Sequence, residues 1–282
     1  MAIRAYVGLF HLIPIALVLL ASGIFMGLAY RGFPQIERLV PFLAAMLLTQ
    51  IAISFHNHYW DRDLDARTKP WRALPAGIVA PGVLHGLAWA LFAVGVLIAG
   101  TLEMAVAGLV AFGTLSAFAY NRWLKDSIWS WVPFWLAMPT LPVAAFAAAQ
   151  AFRPVLLQGY LIGIPIVVAV HLSDSLPDIA DDRASGVLGL PHMLGLRWAN
   201  IAAWGLLALG LALIAITRPQ PSLFDPWLFA SVGLLGLSIL LSIGAKLRCG
   251  SASNGSKVTL PWQRPILLGC AGTLAVSWLA AL

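Results

Sequence analysis

Charge is what this chain has least of. Only 10% of its 282 residues are Asp, Glu, Lys or Arg, against 61% hydrophobic residues. A soluble domain carries about a quarter charged and about half apolar residues. So few charges cannot cover a water-facing surface, and the mean hydropathy of +0.89 agrees. Cysteine is almost absent: Cys249 and Cys270 are too few and too far apart for a disulfide scaffold or a thiolate zinc cluster. The net charge of +6 comes from basic residues scattered over several loops. No aromatic-interleaved basic patch accompanies them, which excludes nucleic acid as the partner. Residue-by-residue alternation of polar and apolar side chains is also missing, so a transmembrane barrel is excluded and the backbone must be satisfied in helices.

What is present is a series of apolar runs of about twenty residues, the length that crosses a hydrocarbon layer of roughly 30 Å. The runs predict an all-α, polytopic membrane helical bundle with about nine transmembrane helices, near 6–28, 38–58, 82–101, 104–120, 130–150, 155–175, 198–217, 226–246 and 262–281. The third and fourth are separated by a tight turn around Gly100 and Glu103. The first run follows Arg4 but contains Pro14 and is one of many alike, so it reads as a span and not as a cleaved leader. Residues 1–282 read as a single transmembrane domain, with Gly250–Ser256 as a polar loop before the last span.

Basic residues favour the cytoplasmic side of a membrane. With the N-terminus cytoplasmic, Arg4, Arg62, Arg67, Lys69, Arg72, Arg122, Lys125, Arg183, Arg197, Lys246, Arg248, Lys257 and Arg264 all fall on that side. Arg31, Arg38, Arg153 and Arg218 complete the 17 Lys+Arg on the other. That asymmetry supports both the count of nine and the orientation.

The scarce acids are not spread out. Seven of the 11 Asp+Glu are Asp61, Asp63 and Asp65 after the second run, and Asp174, Asp178, Asp181 and Asp182 after the sixth. Both groups face the cytoplasm on this topology. Asn57, Asp61 and Asp65 stand at i, i+4 and i+8, which makes one stripe along a helix. Asp174, Asp178 and Asp182 repeat the spacing, and Asp181 lies close to the same face. Asp63 falls on another face and reads as solvated. Two stripes of oxygen donors suit a hard cation such as Mg²⁺, which commonly links carboxylates to phosphate oxygens. Arg67, Lys69 and Arg72 in the following loop are either ordinary positive-inside residues or phosphate partners. Trp60, Trp71 and Trp123 read as interfacial anchors. His56 and His58, two positions apart on a helix, point in different directions and cannot chelate one ion together. His171, one turn before Asp174, reads as a packing histidine. His11 in the first span faces either the bundle or a partner helix, where an intramembrane polar group can be functional.

The stretch Asn57-His58-Tyr59-Trp60-Asp61-Arg62-Asp63-Leu64-Asp65, followed by Lys69-Pro70-Trp71-Arg72-Ala73-Leu74-Pro75-Ala76-Gly77, resembles the first signature of the UbiA superfamily of intramembrane prenyltransferases. The second cluster, continuing through Arg183, Gly186, Pro191 and Gly195, resembles that superfamily's second aspartate motif. The order, separation and surrounding spans match over nearly the whole chain. His58 departs from the pattern where many members carry an acid, and Ala180-Asp181 replaces a frequent Glu-Gly. The Asp182–Gly186 and Pro70–Pro75 stretches lean toward the chlorophyll-synthase and digeranylgeranylglyceryl-phosphate-synthase branch.

The resemblance implies a Mg²⁺-dependent enzyme of the bacterial or archaeal cell membrane. It would transfer an isoprenyl group from an isoprenyl diphosphate to a lipophilic acceptor, among membrane lipids. It assigns Asp61, Asp65, Asp178 and Asp182 to catalysis, and those four with Asn57 and Asp174 to the metal. Asp181 is the alternative to Asp174. Arg67, Arg72, Lys125, Arg183, His58 and Tyr120 are implied as substrate contacts, Tyr120 and Lys125 through the loop after the fourth span. The other classes to separate are a terpene cyclase, which ionises the same substrate without an acceptor, and a lipid transporter that releases no diphosphate.

Overall fold

A computed structural model describes residues 2–176, 179, 189–217, 226–227, 229–234, 236–237 and 263–282. All regular structure among them is helical. The chain divides into two compact units, Met1–Gln158 and Gly159–Leu282.

The first unit begins with a short α1 (Ala2–Val7) and continues through α2 (Leu12–Tyr30), α3 (Ile36–Thr68), α4 (Pro81–Gly100), α5 (Met104–Ala119) and α6 (Val132–Ala148). A π turn, Tyr120–Leu124, extends α5. The second unit contains α7 (Gly159–Ile162), α8 (Ile164–Ser175), α9 (Leu190–Thr217) and α10 (Gln263–Ala280).

Five helical segments are long and apolar enough to cross a membrane, six if the helices either side of Gly163 form one interrupted span. Two further expected spans fall on the shorter apolar helices α6 and α10, and most of 226–246 lies outside the described residues. Nine spans are therefore not counted among the described residues. Two expected spans are interrupted. The run 6–28 breaks between Val7 and Leu12, where Gly8 interrupts the helix and Pro14 lacks the N–H a continuous helix needs. The run 155–175 breaks at Gly163, just ahead of Pro165. Inside α9, Gly195 takes a positive φ of 73° and bends the helix.

α3 positions the first motif. Its 33 residues make a rod about 50 Å long at 1.5 Å per residue, against roughly 30 Å of hydrocarbon. The last turns, from Asn57 onward, therefore reach the polar boundary. α4 packs against α3 at Gly95, where an added Cβ would lie 2.7 Å from Thr49 Cγ2 and 3.1 Å from the Ala45 carbonyl oxygen. Small residues allow this close approach where helices have no hydrophobic drive to associate.

The chain after α3 turns back under the bundle. Ala73 and Leu74 are buried with Ala5, Leu9, Phe55, Leu84 and Ala88 in one cluster. Gly77 closes the turn at φ +69°, with its N–H donating to the Leu74 carbonyl. An L side chain rarely adopts that backbone conformation, which is what the Pro75-Ala76-Gly77 sequence provides for. At the opposite end of the bundle, Arg38 of α3 pairs with Glu103 ahead of α5 at 3.3 Å and also donates to the Ala148 carbonyl of α6.

Candidate active site

The polar end of α3 carries a connected set of charges. Asn57 Nδ2 donates to Asp61 Oδ2 at 3.1 Å, one helical turn on. Lys125 Nζ, at the end of the π turn, reaches the same oxygen at 2.7 Å. Arg72 Nη1 lies 2.7 Å and 2.6 Å from the two oxygens of Asp65. Asp65 is only 3% exposed, and a carboxylate taken that far from water requires a partner. Burial of Ala73 and Leu74 beside it holds Arg72 in reach.

His58 is buried and turned the other way. Its Nε2 lies 3.0 Å from the Gly8 carbonyl oxygen, and its Nδ1 is 3.7 Å from Asp65 Oδ2. With Ser54, whose hydroxyl donates to the Leu9 carbonyl and accepts from the His11 N–H, it satisfies the open backbone groups of the break before α2. His56 diverges from it as expected, stacking on Phe118 with ring centroids 4.0 Å apart and accepting from Trp60 Nε1 at 3.0 Å. The Trp60 ring receives the Arg122 guanidinium at 4.0 Å. Trp71 and Trp123 are exposed.

Of the remaining expected residues in this unit, Arg67 is exposed, and Tyr120 is half-buried with its ring 5.2 Å from that of Phe134. Asp174 lies near the end of α8, half-buried and one turn beyond the buried His171. Asp178, Asp181, Asp182 and Arg183 fall outside the described residues. Among the described residues no three Asp, Glu, His or Cys side chains gather at one point.

Asn121 was not among the expected site residues. It is buried in the π turn, accepts from Asn57 Nδ2 at 3.3 Å, and donates to the Ile53 carbonyl at 3.3 Å. Its only signal in the sequence is a polar residue at the end of an apolar run, beside Tyr120.

The donor chemistry fits a hard cation. Among the described residues Asn57 Oδ1 and Asp61 Oδ1 have no hydrogen-bond partner, while the neighbouring Nδ2 and Oδ2 are engaged. Two oxygens one turn apart, one of them charged, are what Mg²⁺ takes from protein when it keeps several waters.

The profile of the UbiA prenyltransferase family matches residues 15–260. The chain belongs to the UbiA prenyltransferase family. It is 27% identical over 199 residues to the digeranylgeranylglyceryl phosphate synthase of Hyperthermus butylicus, covering 63% of this chain and 62% of that one. To protoheme IX farnesyltransferase 1 of Paramagnetospirillum magneticum it is 31% identical over 205 residues, 68% and 66% of the two chains. These matches span just under two thirds of either relative's length. Its fold is that of a UbiA homologue from Archaeoglobus fulgidus solved bound to GPP and Mg²⁺. The TM-score is 0.67, with 15% identity over 95% of this chain and 96% of that one. This UbiA member is thus an integral membrane protein of the helical type.

Proposed function

We propose that this UbiA protein catalyses Mg²⁺-dependent transfer of an isoprenyl group from an isoprenyl diphosphate to a lipophilic acceptor within the membrane, releasing diphosphate. The observation that carries the reading is the pairing of each stripe carboxylate with a cation from another segment, Lys125 on Asp61 and Arg72 on Asp65. The relatives' names describe prenyl transfer, and the Archaeoglobus homologue's ligands are GPP and Mg²⁺; both support it.

Asn57, Asp61 and Asp65, with Asp174, Asp178 and Asp182 from the second motif, would hold the metal. Mg²⁺ bound there supplies Lewis-acid stabilisation of the diphosphate leaving group. Lys125 and Arg72 neutralise Asp61 and Asp65 in the absence of ligand, and both turn to phosphate oxygens when the diphosphate enters. Arg contributes a planar fork and Lys a point charge. Arg67, Arg183 and Tyr120 complete the proposed substrate contacts; His58, expected among them, instead braces the N-terminal turn against Asp65 as a positioning residue. As the allylic C–O bond breaks, negative charge grows on the diphosphate, and preorganised cations stabilise that change more than the ground state. The acceptor nucleophile bonds to the allylic carbon and gives up its proton. The apolar helices keep water from capturing the cation first. On this reading residues 1–282 make a single prenyltransferase domain whose site faces the cytoplasm.

The test uses full-length protein in lipid nanodiscs with labelled geranylgeranyl diphosphate, Mg²⁺ and a membrane-lipid extract as acceptor source. Diphosphate release with a labelled, acceptor-dependent lipid product is expected. Labelled hydrocarbon or alcohol formed at the same rate without acceptor identifies a cyclase instead. Binding with no diphosphate release identifies a carrier and overturns the proposal.

A further inference from the structure

We infer that Asn121 is a positioning residue that sets the orientation of the Asn57 amide and thereby turns Asn57 Oδ1 toward the cation. The inference rests on the metal role proposed above for Asn57. An amide side chain is nearly symmetric in shape, and only its neighbours decide which end is oxygen.

The deciding neighbour is a backbone carbonyl. Ile53 O can only accept, and Asn121 Nδ2 lies 3.3 Å from it. Asn121 Oδ1 is then the end that faces Asn57, and Asn57 must meet it with Nδ2, at 3.3 Å. The same Nδ2 donates to Asp61 Oδ2 at 3.1 Å, so both of its hydrogens go to acceptors. Asn57 Oδ1 is left on the remaining side. Swapping both amides would set oxygen against the Ile53 carbonyl and against Asp61.

His56 does not reverse this. Its Nδ1 lies 3.4 Å from Asn121 Nδ2, and its Nε2 lies 3.0 Å from Trp60 Nε1. The indole can only donate, so Nε2 accepts and the ring proton sits on Nδ1. His56 alone would favour the swapped Asn121, but that gain of one contact loses two. Asn121 reaches α3 because the π turn carries it inward. π turns inserted in α-helices frequently mark functional sites.

A double-mutant cycle tests the inference on full-length protein in nanodiscs, with Mn²⁺ binding followed by electron paramagnetic resonance. Asn121→Leu keeps the bulk and removes both amide contacts. It is expected to raise the Mn²⁺ dissociation constant about tenfold, the low end of the loss typical when a ligand's supporting hydrogen bond is removed. In an Asn57→Asp background either carboxylate oxygen can ligate, so Asn121→Leu should then change nothing. Asn121→Ser, whose shorter side chain cannot span both partners, should shift binding in the same direction if the leucine variant does not fold. Unchanged Mn²⁺ affinity in the Asn121 variant, or an equal loss in both backgrounds, overturns the positioning role. Failure of the wild-type protein to bind Mn²⁺ overturns the metal reading and this inference with it.

Discussion

Lys125 Nζ lies 2.7 Å from Asp61 Oδ2 across 64 positions of sequence, joining the end of the π turn to the first aspartate stripe. Helix α3 supplies the carboxylate by periodicity, and the π turn supplies the cation by breaking it. The pair is partly exposed, so its net effect on stability is small. Its consequence lies in catalysis. Lys125→Met should lower kcat/KM for the isoprenyl diphosphate by about 10²–10³-fold, the usual loss for removing one preorganised donor to developing charge. The Mg²⁺ concentration for half-maximal rate should not rise, because removing Lys125 also removes a competitor for Asp61. Steady-state diphosphate release against Mg²⁺ separates the two effects.

Arg72 and Asp65 make the contrasting case, because their carboxylate is buried. Arg72→Ala leaves Asp65 charged and unpaired in the interior, a change that costs about 3–5 kcal/mol in comparable buried pairs. Neutralising the orphan should recover much of the loss, so the Arg72→Ala/Asp65→Asn double variant should melt above Arg72→Ala alone. Arg72→Lys should recover stability only in part: a single nitrogen, Nη1, makes both contacts to Asp65, but the ammonium that would replace it is more strongly hydrated than a guanidinium and costs more to bury. Thermal unfolding in detergent, read by intrinsic fluorescence, ranks the four proteins.

Much of this geometry was legible in the sequence because helices are periodic. Asn57, Asp61 and Asp65 had to share a face once the segment was helical, and the divergence of His56 and His58 followed from the same rule. The turn between α4 and α5 at Gly100–Glu103 was visible as a short polar interruption. The pairings of Asp61 with Lys125 and of Asp65 with Arg72 were not, because spacing along one helix says nothing about which loop folds onto it. Asn121 was hidden for a related reason. A π turn is a change of period within an apolar run, and an apolar run reads the same at either period. The break at Gly8–His11 was missed because its open backbone groups are satisfied from α3, by His58 and Ser54, and not by local polar residues. The second stripe retains the status its spacing gave it, since Asp178 and Asp182 lie outside the described residues.

Gly95 provides a test of the scaffold apart from the chemistry. A side chain there meets Thr49 Cγ2 and the Ala45 carbonyl oxygen inside normal contact, and the carbonyl belongs to a helix that cannot yield locally. Gly95→Val should push α4 from α3 and destabilise the protein by about 1–3 kcal/mol, the usual range for overpacking. Gly86, where an added Cβ meets nothing within 4 Å, is the control: Gly86→Ala should leave the melting temperature unchanged or slightly raised. Equal melting of the Gly95→Val variant and wild type would show that the helices do not pack this closely.

Asp61 and Asp65 occupy the same stripe but should fail differently when neutralised. Asp61 keeps an oxygen without a partner among the described residues, whereas both oxygens of Asp65 are held by Arg72. Asp61→Asn preserves shape and removes the charge that a cation and its diphosphate need. It should reduce Mg²⁺-dependent diphosphate release by at least about 10²-fold while the protein still inserts and melts as wild type. Asp65→Asn should lose activity and melting temperature together, because it also releases Arg72 and the turn behind it. Asp178→Asn, in the second motif, should follow the Asp61 pattern. Full turnover in the Asp61→Asn or Asp178→Asn variant would remove that residue from the metal site. Loss of folding in Asp61→Asn would instead make its bond to Lys125 structural.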